Sequence, residues 1–414
     1  MRILVVSPQL PLPLDDGGRK ATFYPIKYLV GLGHRIHLAC LSTGASPMML
    51  DEMQRYCTVD VVLHDKRPKL SGALRMLLSE TPYLLSRFHN AALAEKIHQR
   101  LQESFDIVIL EGLHCAYYGV EIKSYTRLPV LLRLHNVESS ILERFIVQQK
   151  NPFFRLYAQR ELKKLLRYEQ QVYPLFERVL AISKDDKDTV VRQSHLPTIE
   201  VVPAGVDMDY FAPQERREEP DSVLWMGSLH WPPNRDSFWW FVKTILPKVI
   251  ARGVHIKVYV VGANPPQEIK EFRHPNVVLL GHVEDVRHIV ARAAVCVVPL
   301  RIGGGIRIKM LEFFSMAKAV VSTRIGCEGL DVSGGRELMV ADDPSAFAQA
   351  IAELLLDPRK RAQLGENARS FVKRNYSWEY ITERYDGILR AVAGAAPRGE
   401  RATPQVLSQT QTEH

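Results

Sequence analysis

Cysteine is scarce in this sequence and does not fall into a pattern. The five residues, Cys40, Cys57, Cys115, Cys296 and Cys327, form an odd set with no CxxC spacing. That argues against a disulfide framework or a zinc knuckle and fits a reducing cytosol. Long apolar runs are missing as well. No stretch of about 18 apolar residues occurs, so no membrane-spanning helix is expected. The opening MRILVVSPQLPLPL is a short apolar run broken by three prolines. It lacks the apolar region of a signal peptide and reads as a buried first strand. No GxGxxG follows that strand, so a dinucleotide fingerprint is absent, and neither a P-loop nor a GxSxG occurs. The acidic side of the charge balance is the lighter one. Lys and Arg number 54 against 46 Asp and Glu, a net charge of +8 over 414 residues. The excess favours anionic ligands without choosing among nucleotides, phosphates and anionic surfaces. No nucleic-acid recognition motif accompanies it, so no nucleic-acid partner is expected.

Short apolar runs alternating with amphipathic stretches are abundant. Runs at 3–7, 36–41, 59–63, 107–110, 130–134, 179–182 and 199–202 are rich in Val, Ile and Leu and do not alternate. That is the pattern of parallel strands covered on both faces. Helical periodicity lies between them, as over 22–32, closed by Gly33. The stretch VVPAGVDMDYFAPQERREEPDS interrupts the rhythm, which then resumes with runs at 223–226, 257–261, 277–280, 295–298, 319–322 and 338–340. The sequence therefore predicts an α/β protein of two doubly wound domains. These are 1–203 and 204–376, followed by a helix over 377–395 and a polar, disordered tail over 396–414. Ligands of such sheets sit beyond the carboxyl ends of the strands, and two domains place the site in the cleft between them.

One segment after a strand stands out. PLRIGGGIRIKMLEFFSMAKAVVST places three glycines, Gly303, Gly304 and Gly305, ahead of a helix predicted over 306–316. Glycines let backbone N–H groups approach a ligand, and a helix start favours phosphate. Lys309 and Glu312 are three apart on one helix face. Two cations, Arg307 and Lys309, suit a diphosphate, and a carboxylate one turn deeper suits a ribose diol. The alternative is an exposed i,i+3 ion pair on a solvated helix, which is common and weak.

This segment, with VLAISKDD, VVPAGVDMDYF, VLWMGSLHWPPNRDSFWWF, VVGANPP and VVLLGHVEDV, resembles the retaining family-4 glycosyltransferases of GT-B fold. It is similar within them to the sugar transferases of exopolysaccharide and PEP-CTERM/exosortase gene clusters. The resemblance runs to about Gly394 and implies a set of roles. Glu312, the second Glu of the family's E-x7-E motif, would hold the ribose. Arg307 and Lys309 would neutralise the donor diphosphate, and Gly227 would let backbone approach the phosphates. Gly281–Asp285, with His282 and Val283, would meet the base. Gly17 and Gly18, in the loop after the first strand, would close over the sugar-phosphate, and His135 would approach the transferred sugar. Two positions depart from the pattern. The first Glu of the motif is replaced by Gly304, and the GSLHWPPN segment lacks the Arg/Lys pair of many relatives, leaving Arg301 and Arg307 to supply that charge.

The implied activity is retaining transfer of a sugar from a nucleotide-diphosphate donor to a glycan or polyprenyl-linked acceptor in cell-surface polysaccharide synthesis. The first domain would take the acceptor and the second the donor. A nucleotide-sugar epimerase of the same fold and a non-catalytic sugar-nucleotide-binding protein are the alternatives. No metal or other cofactor is expected, since DMD (207–209) reads as a linker and DKD (186–188) as a helix start. A cytoplasmic location is expected. Two stretches are basic and aromatic. One spans 66–88, and the other, 151–173, carries Arg155, Arg160, Lys163, Lys164 and Arg167 beside Phe153, Phe154 and Tyr157. They read either as solvated helix faces or as a peripheral contact with an anionic membrane at the inner face of the plasma membrane.

Overall fold

The apolar runs become the strands of two parallel sheets in a computed structural model that describes residues 1–14, 16–65, 79–149, 151–194, 196, 199–215, 218–303 and 306–395. Gly304, Gly305, the tail from 396 and the 66–78 part of the first basic stretch lie outside the described residues. The first sheet contains β1 (Arg2–Ser7), β2 (Arg35–Ser42), β3 (Thr58–Leu63), β4 (Ile107–Glu111), β5 (Val130–Arg133), β6 (Arg178–Ala181) and β7 (Glu200–Val201) in the order β3-β2-β1-β4-β5-β6-β7. The second contains β8 (Glu219–Met226), β9 (Lys257–Val261), β10 (Val277–Gly281), β11 (Ala293–Val298), β12 (Ala319–Ser322) and β13 (Met339–Val340) in the order β10-β9-β8-β11-β12-β13. Every pairing is parallel, with Val5 opposite Leu38 and Ile109, and Val297 opposite Trp225 and Val321. β4 and β11 are buried along their length, β1 from Ile3 to Ser7 and β8 from Ser222 to Trp225, which is why these runs do not alternate. Strand order reverses between β1 and β4 and again between β8 and β11, which fixes the ligand crevice of each sheet.

Two helix starts differ from the sequence expectation. Gly17 and Gly18 are not loop residues. They open the helix Gly17–Gly31, because Asp16 caps it by accepting the Arg19 N–H at 2.8 Å. The helix predicted over 306–316 runs from Ile308 to Ser315. Arg307 keeps an extended backbone as its first flanking residue, and Ala317 (φ 55°) turns the chain after its end.

The chain crosses between the halves twice, and the crossings lie side by side. Val206 bridges Ser377, and the Val206 N–H donates to the Tyr376 carbonyl at 2.9 Å. The last helix, Trp378–Ala395, then packs on the first half. Trp378, Ile381, Tyr385, Leu389 and Val392 follow a 3/4 spacing that makes one apolar stripe, and all are buried. Trp378 stacks on Tyr24 of the first helix at 5.6 Å, and Asp386 meets His34 at 2.8 Å.

Candidate functional site

Residues at the carboxyl ends of the two sheets touch across the cleft. A methyl group placed on Gly17 would lie 3.6 Å from Ile308 Cδ1, so two helix starts, one from each half, face each other. Their N–H groups give the cleft a positive partial charge from both walls. Ala21, Ile182, Ala204 and Ile308 form a small apolar cluster beside them.

On the second-half wall, Glu312 is 1% exposed although it is ionisable. Its Oε1 accepts from the Lys20 ammonium of the first half, and its Oε2 has no hydrogen-bond partner among the described residues. Lys309 donates to the Met226 carbonyl at the end of β8 at 2.7 Å and lies 5.5 Å from the Trp225 ring. Burial pushes its amine down to about 7; Arg307 adds to the shift and Glu312 opposes it. Arg307 is buried, donates to the Ile325 carbonyl at 3.4 Å and comes within 3.9 Å of Glu328. Burial lowers it to about 10, against the pull of Glu328. Position 303 favours glycine, chiefly through its backbone angle. Its φ is +142°, and a Cβ there would stand 2.6 Å from an Arg307 guanidinium nitrogen. The Gly303 carbonyl accepts from Arg144, which also forks onto Glu328 at 2.8 and 2.6 Å.

Gly227 follows β8 and donates its N–H to Val261 at 2.9 Å. A Cβ on Gly262 would lie 2.3 Å from the Gly227 carbonyl, so glycine there lets the two strand-end loops close up. His282 is exposed and Val283 half-buried, just past β10 on the same side of the sheet. Arg301, expected to supply the charge missing from GSLHWPPN, has an ion-pair partner within the second half. It pairs with Asp236 and packs 5.4 Å from the Trp240 ring, held against the helix Pro232–Trp240.

On the first-half wall, His135 follows β5, and its Nε2 bonds to Glu111, the last residue of β4. Glu111 is buried and also takes Arg133 at 3.2 Å. Burial would raise its carboxyl, but Arg133 and His135 together hold it below the usual range. The carboxylate accepts from the His135 Nε2–H and so orients the ring, leaving Nδ1 as the ring nitrogen not engaged by Glu111. Arg133 in turn donates to the Ala21 carbonyl at 2.7 Å, tying this group to the first helix.

One aspartate of each metal-like pair is engaged in structure. Asp207 accepts from Lys27 and from the Tyr210 N–H, each at 2.9 Å, and Asp186 bonds Ser183 at 2.7 Å.

Sequence reasoning found the second-half wall and overlooked Lys20, Glu111, Arg144 and Glu328. Glu111 could have been found by the same rule that found His135, since it ends a strand at the cleft. Lys20 follows Gly17 and Gly18 by only a few residues. Arg144 and Glu328 carry no local signal, because they meet only through the tertiary fold.

The model of Glycosyltransferase Family 4 matches residues 17–210, and that of Glycosyl transferases group 1 matches residues 220–357. The chain carries both halves of a family-4 glycosyltransferase. A protein of Klebsiella pneumoniae described as an uncharacterized 44.6 kDa protein in the cps region is 24% identical over 91% of this chain and 96% of its own length. Among solved structures, a sucrose-phosphate synthase from Thermosynechococcus elongatus superposes with a TM-score of 0.71 at 17% identity, over 95% of this chain and 100% of that one. HepE of Anabaena, solved in complex with UDP-glucose, superposes with a TM-score of 0.66 at 15% identity, over 94% and 100%. The two sheets of this family-4 chain, the cleft between them and the returning last helix are thus those of the GT-B fold.

Proposed function

We propose that this protein transfers a sugar from a nucleotide-diphosphate donor to a glycan or lipid-linked acceptor in surface-polysaccharide synthesis, with retention at the anomeric carbon. The observation that carries the reading is the meeting of two helix starts across the cleft, with Lys309 and the buried, half-satisfied Glu312 on the second-half wall. A leaving diphosphate gains negative charge in the transition state, and the helix starts, Lys309 and Arg307 provide positive potential in an enclosed site. Glu312 supplies the acceptor for the ribose. His135, held by Glu111, lies on the opposite wall, where the transferred sugar reacts. No side-chain base is needed, because a leaving phosphate oxygen can take the acceptor's proton. The UDP-glucose bound by HepE and the cps-region setting of the Klebsiella relative support the donor class and the pathway class.

The test is transfer itself. Protein incubated with UDP-, GDP-, ADP- or dTDP-sugars and a membrane lipid or glycan extract is expected to release nucleoside diphosphate only when acceptor is present, with EDTA causing no loss. Donor isomerised without nucleotide release identifies an epimerase instead, and tight donor binding without turnover identifies a binding protein.

A further inference from the structure

We propose that Lys20 makes the donor site selective for the diphosphate, by exchanging the Glu312 carboxylate for the phosphates when a nucleotide binds. This rests on the reading of Glu312 as the ribose acceptor.

Two donors compete for the Glu312 carboxylate, the Lys20 ammonium and a ribose diol. A ribose diol has two O–H donors and is best received by both oxygens of one carboxylate. Glu312 Oε2 is buried and lacks a hydrogen-bond partner among the described residues, which suits one hydroxyl. Oε1 is already taken by the Lys20 ammonium. The second hydroxyl reaches Oε1 only if the ammonium moves aside. A buried carboxylate that loses its cation pays a desolvation penalty, so a nucleoside alone must work against that loss.

The displaced Lys20 ammonium needs a second anion within reach. Lys20 lies one turn inside the helix that Gly17 opens, and Glu312 lies one turn inside the helix that Ile308 opens. The two openings are adjacent. A diphosphate seated between them lies one turn from Lys20, within the sweep of a four-carbon side chain. The neighbouring Phe211 ring, 5.7 Å from the ammonium, is a weak partner that does not anchor it. A nucleoside diphosphate therefore gives the displaced ammonium a new anion, and a nucleoside gives it none. Lys20 comes from the first half, so the exchange also places a first-half cation on the donor. This chain has no Lys or Arg in its GSLHWPPN segment, and Arg301 is paired with Asp236.

The experiment is calorimetric titration of the full chain with matched probes, uridine and UDP, guanosine and GDP, or adenosine and ADP, using the base whose diphosphate binds wild type. In Lys20→Met the nucleoside is expected to bind about threefold tighter or more, and the diphosphate at least several-fold weaker. The preference for diphosphate should then shrink by tenfold or more, and Lys20→Arg should restore most of it. Parallel changes in both affinities, or none in either, would mean that Lys20 is only a strut between domains, and the proposal fails. Glu312→Gln separates ribose binding from the exchange at Lys20. If it leaves nucleoside affinity intact, the ribose reading fails whatever Lys20 does. If it lowers nucleoside affinity while Lys20→Met leaves the preference unchanged, only the exchange fails. A wild type that binds none of the diphosphates overturns both. Near-identical far-UV spectra and melting temperatures of the variants guard against misfolding as the cause.

Discussion

At the scale of the residue, Lys309 makes the sharpest claim. A lysine in water titrates near 10.4, and burial brings this one down to about 7. Burial disfavours the ammonium, and the neighbouring Arg307 adds to the effect. The sign for stability follows. The unfolded chain binds the proton up to about pH 10, and the folded chain releases it above about 7. Lys309 therefore costs stability below pH 7, and the cost is relieved as pH rises between the two values. An anionic ligand reverses the burial effect, because it favours the charged form. Binding of a nucleotide sugar, whose diphosphate is fully ionised, is then expected to take up a proton. The uptake should grow as pH rises through about 7, towards a limit of one proton per site. Titration calorimetry in buffers of different ionisation enthalpy reads this directly, and affinity should weaken as pH rises above 7. Lys309→Met should abolish the uptake. An uptake that persists in that variant assigns the proton to another group.

At the scale of the element, the strands were legible in the sequence and the helix starts were not. Continuous runs such as ILVV and VCVV leave only one common environment, a parallel strand covered on both faces, and each became one. Helix starts depend on capping and on what lies opposite. Gly17 and Gly18 read as loop, yet Asp16 caps a helix that begins with them. Arg307 reads as helix, yet its guanidinium is drawn under Gly303 and towards Glu328, and its backbone stays extended. The candidate site divides in the same way. Residues just past a strand end, such as Gly227 and His135, could be named in advance, and Arg144 and Glu328, which meet only across the cleft, could not. Arg144 reaches from the helix Glu138–Gln148 to grip both Glu328 and the Gly303 carbonyl. It thereby links a first-half element to the loop expected to hold the diphosphate. Its side chain is 40% exposed, so solvent screens the pair, and about 1 kcal/mol of coupling is the realistic scale. Arg144→Ala and Glu328→Ala should each raise donor KM several-fold, with the double variant little worse than either. Fully additive effects in that cycle would show that the two residues act separately.

At the scale of the whole molecule, the question is where an acceptor enters. No helix among the described residues is long and apolar enough to cross a membrane. The first half instead exposes a patch where the helices Glu138–Gln148 and Pro152–Val172 meet. Val147 is 75% exposed, Phe153 84% and Leu156 68%, and the Phe145 and Phe154 rings stand 6.1 Å apart in the same patch. Phe145 directly follows Arg144, whose guanidinium reaches the Gly303 carbonyl of the second half. Exposed Arg155, Arg160 and Lys163 lie on the second of these helices. Lys164 does not join them, since it is buried on Glu161 at 2.9 Å, and Arg167 is paired with Glu80. A solvated helix would place polar groups where these apolar side chains stand, and a lipid surface would cover them. Each cation near an anionic surface adds about 1 kcal/mol, and that attraction fades with salt. The protein is therefore expected to float with anionic liposomes at low ionic strength, less with zwitterionic ones, and to detach as salt rises. Reversing charge at Arg155, Arg160 and Lys163, or replacing Phe153 and Leu156 with Ser, should weaken flotation and leave nucleotide affinity unchanged, because none of these residues lines the donor wall. If wild type stays unbound to anionic liposomes at low salt, the patch does not dock on lipid and the acceptor must reach the cleft from solution.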